Sequence, residues 1–416
     1  MTYLLRAIDS ELDEFLPHAA ALAIDGPKGV GKTETAARRS SVAYFLDNPE
    51  QRELLSADTT LSSLPAGTVL IDEWQRLPHV WDAVRRQVDC HAPPGRFILT
   101  GSATPMNAGG THSGAARILS LRMRPMSLFE RGVADPTVSL GSLLQQSDSK
   151  IHGTSTFSVS DYFHEIAASG FPGIRGLPER MRLGQLDSYI QRVIDRDLPE
   201  LGYSVRRPVT LRRWLASYGA ASSSTTSYAK ILAASTAGDG AQPAKTTTIA
   251  YRDHLTQLWL LDEVEGWQPV GNELGRLGQA PKHQLADPAL ALRLLGIGER
   301  QLMTSRGAGM AGPLFESLAT LSVRAAAQAA GARVGHLRSR NGDREIDLIV
   351  EGLDGQIVAI EVKLAAAIRD EDVRHLLWLR EQLSDRVADL VVISSGTTAY
   401  RREDGVAVVP LALLGM

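Results

Sequence analysis

The sequence predicts an α/β fold spread over several domains, and three observations predict it. Gly26-Pro27-Lys28-Gly29-Val30-Gly31-Lys32-Thr33 fits G-x-x-x-x-G-K-[ST], between an apolar run (Ala19 to Ile24) and a helix start at Glu34. A second apolar run, Thr68-Val69-Leu70-Ile71, closes on two acids, Asp72-Glu73. Far downstream, Asp343 to Glu351 and Gln356 to Lys363 alternate around an Asp354-Gly355 turn, as two strands of a hairpin do. At 416 residues the chain exceeds what one hydrophobic core usually supports.

The first motif reads as strand, Gly-rich turn and helix. Glycines let successive N–H groups point inward as an anion nest, and the helix N-terminus adds partial positive charge. Gly26 through Glu34 then cradle the phosphates of ATP, with Lys32 on the β/γ-phosphates and the Thr33 hydroxyl on Mg²⁺. Two carboxylates at a strand end facing that loop divide the remaining work. Asp72 holds Mg²⁺ through water, and Glu73 polarises the attacking water.

Composition narrows the setting. Hydrophobic residues at 44% and charged residues at 22% are ordinary for a soluble globular protein. A net charge of −3 gives no global signal for nucleic acid, so such a site must be a local patch. One cysteine, Cys90, excludes a disulfide framework and a cysteine-based zinc site, and fits a reducing cytoplasm. No apolar run is long enough for a membrane helix, and Met1 to Glu14 lacks the pattern of a secretory signal. Seven lysines stand against 37 arginines. Against that background, lysines kept at Lys32 and Lys363 suggest places where a compact ammonium is wanted rather than a guanidinium fork.

Taken in order, Tyr3 to Leu16 reads as an amphipathic helix and Val42 to Leu46 as a strand. Val80 to Val88 is a helix with Trp81, Val84 and Val88 on one face. Phe97 to Ser102 is a strand ending in small polar residues, Met106 to Gly114 a loop, and Ile118 to Leu128 holds a last core strand. Here the chain resembles an AAA+-like bacterial and archaeal ATPase family usually described only as "ATP-binding protein". The carrying residues are Gly26 to Ala36, Leu70-Ile71-Asp72-Glu73-Trp74-Gln75, Leu99-Thr100-Gly101-Ser102 and Arg124-Pro125-Met126-Ser127-Leu128-Phe129-Glu130. The resemblance implies a sensor for the γ-phosphate at Thr100 or Ser102. It also implies an arginine acting on the neighbouring subunit's nucleotide in a homo-oligomeric ring, a hexamer for preference. Arg117, Arg122 and Arg124 are the candidates, with Arg117 favoured because it follows the loop.

These readings divide the chain into an ATPase core (1–135), a Gly/Ser/Pro-rich linker (136–157), a helical lid (158–205), a winged helix-turn-helix (206–270) and a C-terminal α/β domain (280–416). In the winged unit the helices are Thr210 to Tyr218, Ser227 to Ala233 and Thr246 to Leu260, with Leu261 to Trp267 as the wing hairpin. Arg206, Arg207, Arg212 and Arg213, with Lys245 and Arg252 on the third helix, form a candidate phosphate-contacting patch for DNA. Winged helices also dock proteins, so that alternative stays open.

In the C-terminal domain, Glu316 lies on an Ala-rich helix, Asp347 on one strand, and Glu361 and Lys363 on one face of its partner. This resembles the PD-(D/E)xK nuclease pattern and implies a restriction-endonuclease-like fold. In that family the carboxylates hold Mg²⁺ and the lysine activates water or steadies the phosphate. Such domains also persist as docking modules without hydrolysis. The function expected is a Mg-ATP-hydrolysing ATPase acting on duplex or branched DNA, with the C-terminal domain cutting or gripping it. The alternative is a STAND-like nucleotide-dependent switch, or a docking protein with an inactive nuclease-like domain.

Overall fold

The computed structural model describes residues 3–102, 114–145, 151–236, 243–269, 278 and 280–416. Helix α1 (Ala7–Phe15) leads into β1 (Ala21–Asp25), α2 (Lys32–Ala37), β2 (Val42–Phe45), α3 (Pro49–Ala57), β3 (Val69–Asp72), α4 (His79–Asp89), β4 (Phe97–Gly101) and β5 (Leu119–Arg122). The five strands form one parallel sheet in the order β2-β3-β4-β1-β5. Both faces are covered, as a parallel sheet requires. Leu22, Ile24, Leu70, Ile98 and Leu121 feed one core, while Ala21, Ala23, Val69, Ile71, Phe97 and Leu99 feed the other. Because the strands run the same way, Asp25, Asp72 and Gly101 end at one edge of the sheet, and the chemistry gathers there.

The motif from Arg124 to Glu130 is a joint. Glu130 accepts from Ser127 N at 2.6 Å and Ser127 Oγ at 2.7 Å, closing a capping box. It also takes Arg6 Nε at 3.1 Å and Ala7 N at 2.7 Å, fixing the start of α1.

Part of the segment expected as a linker is ordered: β6 (Val138–Ser139) pairs in parallel with the chain's last strand, and α5 (Leu140–Leu144) buries three leucines. Helices α6 (Val159–Ala168), α7 (Pro172–Arg175) and α8 (Glu179–Arg192) follow, and α8 runs through a π-turn (Val193–Asp197) into α9 (Leu198–Glu200). The three helices expected next are present as α10 (Pro208–Ala220), α11 (Tyr228–Ser235) and α12 (Lys245–Gln257), with Trp214 of α10 packed against Tyr251 of α12. Most of the insertion expected between α11 and α12 lies outside the described residues, as does most of the loop from Met106 to Gly114.

The wing differs from expectation. Leu261 and Val264 bridge antiparallel to Leu285 and Lys282, and Gly266 bridges to His336 of the C-terminal sheet. Leu261, Val264 and Trp267 are buried, so the segment is core and cannot stand out as a free hairpin. The boundary at 280 also shifts. Helix α13 (Pro288–Leu294) packs on the helical body, where Asp287 accepts from Ser169 Oγ at 2.5 Å and from Gly170 N at 2.7 Å. The C-terminal α/β unit starts after α14 (Glu299–Leu302), with α15 (Ala308–Ala329).

That unit continues with β7 (Arg333–Arg338), β8 (Glu345–Glu351), β9 (Ile357–Lys363), α16 (Asp370–Gln382), β10 (Val387–Ser394), β11 (Tyr400–Arg401), β12 (Ala407–Pro410) and β13 (Leu414–Gly415). Its six-stranded sheet has the order β11-β12-β10-β9-β8-β7, with β7-β8-β9 antiparallel and β9-β10-β12 parallel. One core runs from Leu22 through Tyr162, Trp214 and Phe315 to Val358 and Val391, so the units share apolar packing.

Polar packing also joins them. Asp262 meets Arg122 at 2.9 Å, Arg124 at 2.8 Å and Arg324 at 3.0 Å. Arg122 also stacks over Trp259 at 4.7 Å. Burial opposes ionisation of Asp262, but the three guanidiniums hold its carboxyl well below the usual range. Removing one partner of a buried ion group leaves uncompensated charge. Asp262→Ala is therefore expected to cost about 3–5 kcal/mol in chemical denaturation. Asp262→Asn, which keeps the shape and part of the hydrogen bonding, should cost less.

Candidate functional site

The phosphate loop starts where backbone crowds backbone. A Cβ on Gly26 would stand 2.1 Å from Met123 O, so only glycine fits. Gly31 has φ 104°, in the left-handed region where glycine is at ease, and it launches α2. Lys32 is buried, and its Nζ donates to Gly26 O at 2.8 Å and Pro27 O at 2.9 Å. Burial pushes its ammonium down to about 8, against the pull of Glu73 and Asp72.

Across the sheet edge, Thr33 Oγ1 donates to Asp72 Oδ1 at 2.8 Å, and Thr100 Oγ1 donates to the same oxygen. The β3–β4 register sets the second interaction, since Asp72 lies directly beside Thr100. Burial raises the Asp72 pKa, while those two hydroxyls oppose the rise. Glu73 sits in the left-handed region at φ 55°, an uncommon conformation for a residue with a side chain. Ser102 Oγ donates to Glu73 Oε2 at 2.9 Å, and the Gln75 amide donates to the same oxygen. Strained backbone held by a hydrogen-bonded partner is a common functional-site arrangement. Thr33, Asp72, Glu73, Thr100 and Ser102 thus come together as expected from their order. Thr33 and Asp72 are an oxygen-donor pair suited to Mg²⁺.

Two features here were not read from the sequence: the lid contact of Lys28, a residue expected in the phosphate cradle, and a cavity beside Gly31. Lys28 reaches out of the loop to Asp197 at 2.5 Å and Glu200 at 3.4 Å, tying the phosphate loop to the helical lid. Beyond Gly31 lies a cavity of about 480 Å³, lined by Val30, Met123, Met126 and Pro172, with Tyr3, Arg6 and the exposed Glu34 among its polar lining. No local motif announces it, because it joins the N-terminus, the loop and α7.

The three arginines separate. Arg117 is exposed and pairs with Asp89 at 2.9 Å. Arg122 and Arg124, expected as candidates to reach a neighbouring subunit, are instead both committed to Asp262 of their own chain. Of the proposed DNA contacts, Arg206, Arg207, Arg213 and Lys245 are exposed. Arg212 pairs with Asp187 at 3.0 Å, and Arg252 pairs with Asp253 at 3.0 Å while stacking on Tyr228.

In the C-terminal unit, Glu316, Asp347, Glu361 and Lys363 do converge, with a further lysine, Lys282, set against Glu316 and Asp347. Lys282 is 1% exposed. Its Nζ donates to Glu316 Oε1 at 2.9 Å and Asp347 Oδ1 at 2.6 Å, with Glu345 Oε1 at 3.6 Å. Asp347 Oδ2 accepts from Val362 N at 2.9 Å, and Lys363 Nζ donates to Glu361 Oε1 at 2.7 Å. Burial, with the Asp347 charge, raises Glu316 and Glu361 each to about 8. Burial works against both Asp347 and Lys282, yet each holds the other ionised. The donor set does not fit Mg²⁺, because an ammonium already sits among the carboxylates. Among the described residues, no group of three or more His, Cys, Asp or Glu side chains is arranged to hold a metal ion.

Comparison with known proteins agrees with the front of this picture. Residues 18–131 match the family described as an AAA domain, so this chain carries an ATPase-like AAA domain on a mixed α/β fold. Residues 159–301 and 311–414 match two domains of unknown function, DUF8612 and DUF4143. Two mycobacterial proteins described as uncharacterized, Rv2008c of Mycobacterium tuberculosis and Mb2031c of Mycobacterium bovis, are each 26% identical over 411 residues. Each alignment covers 96% of this chain and 82% of the relative. Similar solved structures include the Walker-type ATPase PABY2304 of Pyrococcus abyssi, at 14% identity and TM-score 0.41, covering 70% of this chain and 96% of that one. Another is the ORC2 protein of Aeropyrum pernix in ADPNP-ADP complexes, at 15% identity and TM-score 0.30, covering 72% and 91%. No helix among the described residues is long and apolar enough to cross a membrane.

The lowered pKa of Lys32 makes a pH prediction. Its folded-state value lies below that of a free lysine, so folding favours proton release and the charged form is strained below about pH 8. A phosphate ligand needs the ammonium. Nucleotide affinity should therefore be full below about pH 8 and decline above it, toward roughly tenfold per pH unit. Titration with a fluorescent nucleotide between about pH 7 and 9.5 reads this. Lys32→Met should lose both the affinity and its pH dependence, and a flat wild-type profile would show that another group governs binding.

Proposed function

We propose that the chain is a Mg-ATP-hydrolysing, AAA-type ATPase that acts on DNA, binding it and remodelling or moving it as nucleotide turns over. The observation that carries the proposal is the convergence of Thr33 and Thr100 on one oxygen of Asp72, beside Glu73 held by Ser102 and Gln75. In this reading the cavity beside Gly31 takes the nucleobase, with Val30, Met123 and Met126 against its faces. Lys32 leaves the carbonyls of Gly26 and Pro27 to bind the β/γ-phosphate oxygens. Thr33 and Asp72 would hold Mg²⁺, which would supply charge neutralisation at the phosphates when bound. Glu73 orients the attacking water and takes its proton, while Ser102 and Gln75 aim the carboxylate. Thr100 keeps Asp72 in place and reads the γ-phosphate side.

The DNA contact falls on Arg206, Arg207, Arg213 and Lys245, whose exposure supports a phosphate-contacting role. Arg212 and Arg252 contribute less, because carboxylates already hold them. A homo-oligomeric ring belongs to the same reading. Arg117 is then the arginine that reaches the neighbouring nucleotide, since its exposed pair with Asp89 is weak and exchangeable. The single cysteine supports a reducing, cytoplasmic setting.

A second reading, a nucleotide-dependent switch, is favoured by Lys28. A residue of the phosphate loop is bonded to Asp197 and Glu200 of the lid, so phosphate arrival and lid position are linked.

Steady-state ATPase assays with and without duplex or branched DNA separate the two. The proposal expects stimulation by DNA and gel retardation. Slow turnover that ignores DNA, with no retardation, leaves the switch. Glu73→Gln should lower kcat by roughly 10²–10⁴-fold while nucleotide still binds. Replacing Arg206, Arg207 and Arg213 by Ala should weaken DNA binding for all sequences. The same change should flatten the salt dependence, by about one unit of slope for each arginine that neutralises a phosphate.

A further inference from the structure

We propose that Lys282 is the resident cation of the C-terminal carboxylate cluster, standing where a divalent metal would otherwise sit, so that this unit holds no Mg²⁺ there and does not cut nucleic acid. The inference rests on the cluster's geometry and does not depend on the ATPase reading.

The three acids come from three elements. Glu316 is on α15, Asp347 on β8 and Glu361 on β9. Lys282 arrives from outside that unit, on the stretch that bridges to Val264. Its ammonium has three donors. Two reach Glu316 and Asp347 at 2.9 and 2.6 Å, and Glu345 lies 3.6 Å away. Mg²⁺ demands near-octahedral oxygens at about 2.1 Å and gives up its waters reluctantly. An ammonium at hydrogen-bond distance from Glu316 Oε1 and Asp347 Oδ1 engages two oxygens that such an ion would use, and supplies positive charge there.

The remaining groups are also engaged. Asp347 Oδ2 is bound to the Val362 amide. The lysine the nuclease pattern would use on water, Lys363, is bonded to Glu361. Glu361 Oε2 alone among these oxygens is buried with no hydrogen-bond partner, which suits a carboxyl that keeps its proton. Burial and the Asp347 charge favour that protonated form, and favour it for Glu316 too. Two ammoniums already paired with these carboxyls make a poor host for a dication.

The arrangement also has a structural role. Lys282 is an ionic rivet between the stretch at 282–285 and the C-terminal sheet. Leaving a buried ammonium without a counter-charge is costly, and here acids of a nuclease-like cluster supply that counter-charge.

The test uses the full chain, nucleotide-free, with Asp72→Asn added to silence the phosphate-loop metal site. Bound Mn²⁺ is counted by electron paramagnetic resonance, and plasmid nicking is followed in Mg²⁺ and Mn²⁺. The expected result is that Asp347→Asn changes neither the Mn²⁺ count nor the nicking background. Lys282→Met should gain about one Mn²⁺ per chain, and that ion should disappear again when Asp347→Asn is added. Mn²⁺ binding or DNA nicking by the chain with Lys282 intact, abolished by Asp347→Asn or Glu361→Gln, overturns the proposal. A folded Lys282→Met that takes up no Mn²⁺ overturns it as well. If Lys282→Met does not fold, the comparison with Lys282 intact still decides. ATP hydrolysis by the chain with Asp72 restored is measured separately, so failure here leaves the ATPase reading untouched.

Discussion

Asp262 stands where three stretches of chain meet. Arg122 and Arg124 come from the end of β5 and the residues after it, Arg324 from the middle of α15, and Asp262 from the segment that bridges to Lys282 and Leu285. One carboxylate among three guanidiniums stays charged despite its burial, and it is the shared counter-charge of three part-buried arginines. This shared pairing explains two departures from simpler expectations. The segment from Leu261 to Trp267 is pinned into the interior and does not fold out as a wing. Arg122 and Arg124 cannot serve a neighbouring nucleotide without abandoning their own fold.

The same group lies close to the phosphate loop. Arg122 is beside Asp25 in the β1–β5 register, and the next residue, Met123, donates from its N–H to Asp25 O at 2.7 Å. Its carbonyl closes against Gly26. Arg6 adds a second link, donating to Val30 O at 2.8 Å and Arg124 O at 2.7 Å. Any shift of the loop would therefore press directly on the joint that carries α15 and, through it, the C-terminal sheet. Contiguous packing of this kind is the material from which coupling between distant sites is made.

How far the sequence could be read depended on range. The phosphate loop, the Asp72-Glu73 strand end and the Thr100-to-Ser102 turn were legible because each is local: a glycine spacing, an apolar run, a polar stop. The β8–β9 hairpin was legible because its alternation and its Asp354-Gly355 turn are local too. Asp262 among its arginines was not, nor was Lys282 among its acids. Charge pairing across large separations leaves no periodicity to read. The linker was misjudged for a similar reason, since β6 exists only by pairing with β13 at the far end of the chain. The scarcity of lysine was the one usable signal for Lys282. The preference for a compact ammonium that singles out Lys32 and Lys363 applies equally to it and to Lys28.

That scarcity has a physical logic. Arginine, with its planar fork, takes the joints: Arg122, Arg124 and Arg324 on Asp262, and Arg131 and Arg175 on Glu165. Lysine takes the places where a small, nearly spherical charge must fit among converging oxygens, as at Lys32 and Lys282. The two buried ammoniums differ in what surrounds them. Lys32 rests on the neutral carbonyls of Gly26 and Pro27, and burial draws its pKa down to about 8. Lys282 rests on carboxylates, which overcome the same burial and raise its pKa. An ammonium on carbonyls gains by exchanging them for an anion, so Lys32 is poised for a ligand. An ammonium already neutralised by Asp347 and hydrogen-bonded to Glu316 has nothing to gain, so Lys282 stays. In the proposed reading one fold uses the same side chain twice, at Lys32 as a partner of a ligand that turns over and at Lys282 as a fixture.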